Sequence, residues 1–176
     1  MRTRRTMLTA AATLALAFAS LPRAAAQFSR KDYLSDTEAD RVRDAATPGA
    51  RIKLYMLFAE DRLKKFEYEL NRKVPEERRS EILNGLLNGY SGCMDDAADQ
   101  ISVAKEKQSD IHKELAAMLS KGKEFLTTLQ KIEQTGAGLD TYKDTLEDAI
   151  DGTKDAISDA QDAKKEILAP PVRRKQ

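Results

Sequence analysis

The chain has 176 residues, with 30 Lys and Arg against 29 Asp and Glu for a formal charge of +1, and it carries one Cys, one His and no Trp. Charges this evenly balanced and interspersed supply no concentrated basic face for nucleic acid. One cysteine excludes an intramolecular disulfide, and one histidine excludes the paired Glu-x-x-His motifs of a di-iron bundle.

The first element is an export signal. Arg2, Arg4 and Arg5 precede a soft apolar run from Met7 to Leu21, which Pro22 and Arg23 close before the small residues Ala24, Ala25 and Ala26. This order predicts a signal peptide over 1–26, cleaved before Gln27. The run is too short for a membrane span, which takes about 20 apolar residues. The string Thr3-Arg4-Arg5-Thr6-Met7-Leu8 resembles the twin-arginine export signal, and a basic residue near the cleavage site, here Arg23, is usual in that family. The resemblance implies passage across the membrane in the folded state; an ordinary secretory signal is the alternative. With the signal go four arginines and no acid, so the formal charge falls from +1 to −3.

Residues 27–169 read as a single all-helical domain, because Gly and Pro are scarce and cluster where helices should start or stop. Ser35 with Glu38 three residues later forms a capping box that opens a short helix from about Asp36 to Ala46. Thr47 and Pro48 are an N-cap and first-turn proline. The helix they begin carries Ile52, Tyr55, Ala59, Leu63, Phe66 and Leu70 on one face and should end near Lys73. After Val74 and Pro75 an apolar stripe is expected through Ile82, Leu86, Tyr90, Cys93, Ala97, Ile101 and Ala104, and then through Ile111, Leu115, Met118, Phe125, Leu129 and Ile132. Cys93 reads as a small buried apolar residue.

Residues 75–133 leave two architectures open. The apolar phase continues through the polar stretch Lys105 to Asp110, so a single rod about 88 Å long could pair with the flanking helices as an elongated hairpin. A bend at Ser109 and Asp110 would instead give an antiparallel four-helix bundle. Gly85, Gly89 and Gly92 are either weak points or places of close approach.

Gly136 and Gly138 end that stretch, and a last helix is expected from about Leu139 to Leu168. Within it Asp140 to Asp144, Asp151 to Asp155 and Asp162 to Glu166 repeat every eleven residues, with Leu146, Ile157 and Leu168 in register. A hendecad period is 3.67 residues per turn and keeps a helix straight. Asp140–Lys143, Asp151–Lys154 and Asp162–Lys165 are i, i+3 pairs. The repeat resembles the eleven-residue units of desiccation-protective and lipid-binding helical proteins. Its polar face carries nine acids and four lysines over 139–166, the reverse of a lipid-surface helix, so no membrane contact is expected beyond the signal peptide. The acid ladder from Asp140 to Glu166 reads as a solvated face. Residues 170–176 read as a flexible basic tail.

No catalytic, cofactor-binding or metal-binding residue is assigned. His112 has no nucleophile elbow to serve and reads as a helix-surface residue; non-covalent haem held by His112 with Met56 or Met94 is the minor alternative. Leu126-Thr127-Thr128-Leu129-Gln130 resembles the Leu-Thr-x-x-Gln signature of small helical periplasmic stress chaperones, although it falls in mid-helix here. The expectation is an exported, non-enzymatic helical protein of the cell envelope, periplasmic or secreted, acting through a protein partner or self-association. A periplasmic holdase is the alternative, and a haem- or cation-binding bundle ranks behind it.

Overall fold

A computed structural model of the protein describes residues 33–73 and 76–168. The signal expected over 1–26 and the tail expected over 170–176 lie outside the described residues. Among the described residues the fold is all-α, with helices α1 (Asp36–Asp44), α2 (Pro48–Leu70), α3 (Glu76–Glu106), α4 (His112–Thr135) and α5 (Lys143–Leu168), and no strand.

The caps explain where the helices start and stop. The Ser35 hydroxyl accepts from Glu38 N while Glu38 Oε2 accepts from Ser35 N at 2.9 Å, closing the predicted capping box. Thr47 Oγ1 accepts from Ala50 N at 3.1 Å, with Pro48 in the first turn of α2. α2 ends at Leu70, ahead of Lys73, because side chains take its last carbonyls. Asn71 Nδ2 donates to Glu67 O at 2.8 Å, and Arg79 Nη2 donates to Leu70 O at 2.5 Å.

The elongated rod is not formed. α3 stops at Glu106, where Ser109 N bonds Ala104 O at 2.9 Å and Gln108 N bonds Lys105 O at 3.1 Å, the two bonds of a Schellman turn. Its left-handed position, normally Gly, is held by Gln108 at φ 51°. Asp110 then accepts from His112 N at 3.1 Å just ahead of α4, whose N-cap is Ile111, so the chain turns over Gln108–Ile111, around the expected Ser109–Asp110 pair.

Packing runs α2 to α3, α3 to α5 and α5 to α4, with α4 closing more loosely back onto α2. Successive helices are antiparallel, yet the side-by-side pairs are not. Lys121 on α4 bonds Glu60 on α2, and Thr145 on α5 bonds Asn84 on α3, both across 61 residues. Ser80 Oγ reaches Thr141 O across the same 61 residues. A constant offset requires parallel neighbours, so the expected antiparallel bundle is corrected to two antiparallel hairpins, α2–α3 and α4–α5, laid side by side in the same direction.

The core stripe of α3 also shifts. Ile82 and Leu86 are only half-buried, while Leu83, Leu87, Tyr90, Met94, Ala97, Ile101 and Ala104 are buried. At about 100° per residue, repeated steps of four drift around the helix, whereas alternating steps of four and three keep one face inward. Cys93 is buried as expected. In α5 the inward face alternates Leu146, Ile150 and Ile157 with Ala149, Ala156, Ala160 and Ala163. The small residues leave room for a polar lock. Thr153 Oγ1 donates to Ala149 O at 2.6 Å, and Tyr90 therefore donates its own hydroxyl proton to Thr153 Oγ1 at 2.7 Å. Aromatic edges join the hairpins. The Phe66 and Tyr142 centroids lie 5.3 Å apart, and those of Tyr90 and Phe125 lie 5.9 Å apart.

The last helix begins at Lys143, four residues later than expected. Gly138 at φ 70° turns the chain into a 3-10 turn over Leu139–Thr141, and Thr141 Oγ1 holds Gly138 O at 2.8 Å. The first unit of the eleven-residue repeat therefore straddles a turn, and Lys143 lies 3.6 Å from Glu147. The later pairs form as expected, Asp151–Lys154 at 2.7 Å and Asp162–Lys165 at 2.8 Å.

The glycines of α3 divide by environment. A Cβ at Gly85 would meet nothing within 4 Å, whereas one at Gly92 would fall 2.5 Å from Tyr33 Cε1. Gly92 is therefore a place of close approach, although what approaches is the segment before α1, not a long helix. Gly85→Ala should raise stability by about 1 kcal/mol in chemical denaturation, the helix-propensity difference, while Gly92→Ala should lower it. Gln108→Gly should likewise raise stability by about 1 kcal/mol by relieving the left-handed backbone.

Candidate functional site

Two places gather side chains that could do more than fill the core. The first is the loose seam between α2 and α4. Parallel packing at the constant offset sets Lys53 beside Glu114 at 2.7 Å and Glu60 beside Lys121 at 2.6 Å. Between these ion pairs the seam opens into a cavity of about 210 Å³ floored by Ile52, Met56 and Met118 and flanked by Leu57 and Ala117. Leu57 is 48% exposed and Tyr68 66% exposed, the large apolar side chains most open to solvent among the described residues. Both lie on α2, eleven residues apart, and so on one face about 16 Å from each other.

The acids of this rim are held ionised. Glu60 is pulled below the usual carboxylate range by its hydrogen bonds to Lys121 and then Lys64, and Glu114 by its bond to Lys53. Each lysine around the seam already faces a carboxylate, with Lys64 lying 2.8 Å from Glu60.

The second place is a latch at the start of α1. Arg62 on α2 makes a two-pronged bond to Glu38, at 2.5 and 2.6 Å, and donates to Tyr33 O at 3.0 Å. Its guanidinium lies 5.9 Å from the centre of the Phe58 ring, and that of Arg41 lies 5.2 Å from it. Both cations are within reach of the ring's negative face. Tyr33 lays its ring on Gly92 and reaches both Asp96 and Gly92 O. One hydroxyl has one proton, so the charged carboxylate of Asp96 takes it.

The phenols and the thiol nearby sit where burial disfavours their charged forms. Burial, then the Asp96 hydrogen bond, raises the Tyr33 phenol, and burial with the Asp96 charge pushes Tyr55 up to about 12. Burial pushes the Cys93 thiol up to about 12, so it stays protonated at neutral pH, without the thiolate that nucleophilic chemistry uses. The Arg62 hydrogen bonds lower Glu38 to about 2.

His112 stands on the surface at the bundle end, its Nδ1 2.8 Å from Asp110 Oδ1. A pocket beside it is lined by Lys105, Gln108 and Glu166 among others, and by no methionine. Met56 and Met94 are buried in the core. The acids of the α5 ladder face solvent, and no cluster of three metal-ligating side chains occurs among the described residues. Leu126 to Gln130 lies in the middle of α4, where Leu129 is buried. The Thr127 and Thr128 hydroxyls there bond back to Lys123 O and Glu124 O at 2.8 and 3.1 Å. No helix of the described residues is long and apolar enough to cross a membrane.

The seam and the latch escape sequence reasoning because both depend on which helices are neighbours. Periodicity gives a face, and Leu57 sits just off the buried one. A lone exposed Leu beside Phe58 in a predicted amphipathic helix carries no signal of its own.

The chain matches no family model, and no curated protein or solved structure is significantly similar to it.

The Glu38 latch gives a pH prediction. Its folded-state pKa lies below the ordinary 4.5, so ionised Glu38 stabilises the fold above that value and the contribution fades as pH falls toward 2. Glu38→Gln should cost about 1–3 kcal/mol at neutral pH, and its stability curve should approach that of the wild type as pH drops through this window in urea titrations.

Proposed function

We propose that this protein is an exported, non-enzymatic helical protein of the cell envelope that acts through protein–protein contact, with the α2–α4 seam as its contact surface. The observation that carries this reading is the exposed Leu57 beside an apolar cavity framed by two ion pairs. Rim charges around an apolar centre are the usual anatomy of a protein interface, and aligned charge pairs fix its register. The eleven-residue period supports the same surface, since Leu57 and Tyr68 return to one face after three turns. The Arg4-Arg5 signal supports export, and its likeness to the twin-arginine signal supports transport of a folded bundle.

The holdase reading draws on the same apolar floor, which could receive an extended segment of a client. It has less support, because the two ion pairs narrow the seam to a short opening.

Affinity capture from an envelope extract tests the reading. Wild-type protein should recover a partner that the Leu57→Glu variant does not; equal recovery by both would remove the seam from consideration. Suppression of client aggregation at near-stoichiometric amounts would favour the holdase. For export, the processed protein should begin at Gln27, and replacing Arg4 and Arg5 together by Lys should retain the precursor in the cytosol. Undiminished export of that variant would point to the general secretory route.

A further inference from the structure

We propose that the occupant of the α2–α4 seam is a second copy of this chain, related by a two-fold axis that runs along the helices. This deepens the contact-surface reading above and rests on it. The charge pattern selects the partner. On α2 the order along the seam is Lys53 then Glu60, and on α4 at the same heights it is Glu114 then Lys121. Rotation about an axis parallel to the helices lays α2 of one copy over α4 of the other at equal height. Lys53 then faces the other copy's Glu114, and Glu60 faces the other copy's Lys121. A surface with this alternation is complementary to itself, which is the condition an isologous interface must meet.

Shape agrees with charge. The rotation carries the protruding Leu57 toward the other copy's Ala117, over the cavity of about 210 Å³ that a single copy leaves open. The face is also large enough. α2 has 23 residues. At the helical rise it is about 35 Å long, and two adjacent helices are about 20 Å wide, giving about 700 Å² per copy. Standard interfaces bury about 800 Å² per partner, so a dimer of moderate, concentration-dependent affinity is expected.

Light scattering of the purified protein over a range of concentrations tests the proposal. The mass should rise twofold, from monomer to dimer, and the rise should shrink in high salt as the rim charges are screened. Leu57→Glu should stay monomeric at every concentration while keeping the helix content and dilute-solution thermal transition of the wild type, since residue 57 is half exposed. A wild-type protein that remains monomeric, or a Leu57→Glu variant that dimerises equally well, overturns the proposal. Orientation is read by mixing Leu57→Cys and Ala117→Cys copies under mild oxidation; buried Cys93 stays out of the reaction. A mixed disulfide dimer is expected, whereas crosslinking of Leu57→Cys copies with each other in its place would overturn the axis. Leu57-dependent capture of a different partner by a strictly monomeric protein would remove this proposal and leave the contact-surface reading in place.

Discussion

The parallel register of the two hairpins is the constraint on which the rest of the molecule depends. Once α3 and α5 run the same way at a fixed offset of 61 residues, Asn84 meets Thr145, Ser80 meets Thr141 O and Lys105 meets Glu166. The same offset on the other side brings Lys53 to Glu114 and Glu60 to Lys121. Neither hairpin could choose this arrangement by its own periodicity. Two polar devices specify it: the Tyr90–Thr153 lock inside the core, and the turn around Gln108 that carries the chain diagonally from α3 to α4.

The two sides of the bundle differ because their inward residues differ. The α3–α5 side has Ala149, Ala156, Ala160 and Ala163 buried along α5, small side chains that let the helices come close. The α2–α4 side meets through Met56 and Met118 with charged residues at its edges, and long side chains hold the helices apart. Close packing on one side and an open seam on the other follow from side-chain volume. The latch at Tyr33, Glu38 and Arg62 then ties the N-terminal segment to α2 and α3, so Glu38 both opens α1 and fastens it to the bundle.

Much of the fold was legible in the sequence, because local chemistry writes helix ends plainly. Ser35 with Glu38, Thr47 with Pro48, Asp110, and Gly136 with Gly138 each mark a boundary that the structure reproduces within a few residues. The stripe of α3 begins one residue later than the expected spacing, at Leu83 and Leu87, where Gly85 and Gly89 carry no side chains to settle the phase. Asp140 and Lys143 have good helical spacing, yet α5 starts only at Lys143 because the left-handed Gly138 overrides it. Neighbour choice was not legible at all. An apolar stripe says that a face is covered and does not say by which helix, so the parallel pairs, the seam and the docking of Tyr33 on Gly92 required the assembled molecule.

The turn at Gln108 has a consequence for how the molecule comes apart. Contacts within each hairpin fan out from one short turn, whereas the side-by-side polar pairs that join the hairpins, such as Asn84–Thr145 and Glu60–Lys121, each span 61 residues and lie across the crossover. The looser side of that junction gives up the fewest packed atoms when it parts. Opening should therefore start there and pivot on the tight side like a book on its spine, with the crossover strap at residues 107–111 acting as the binding that keeps the covers from separating completely.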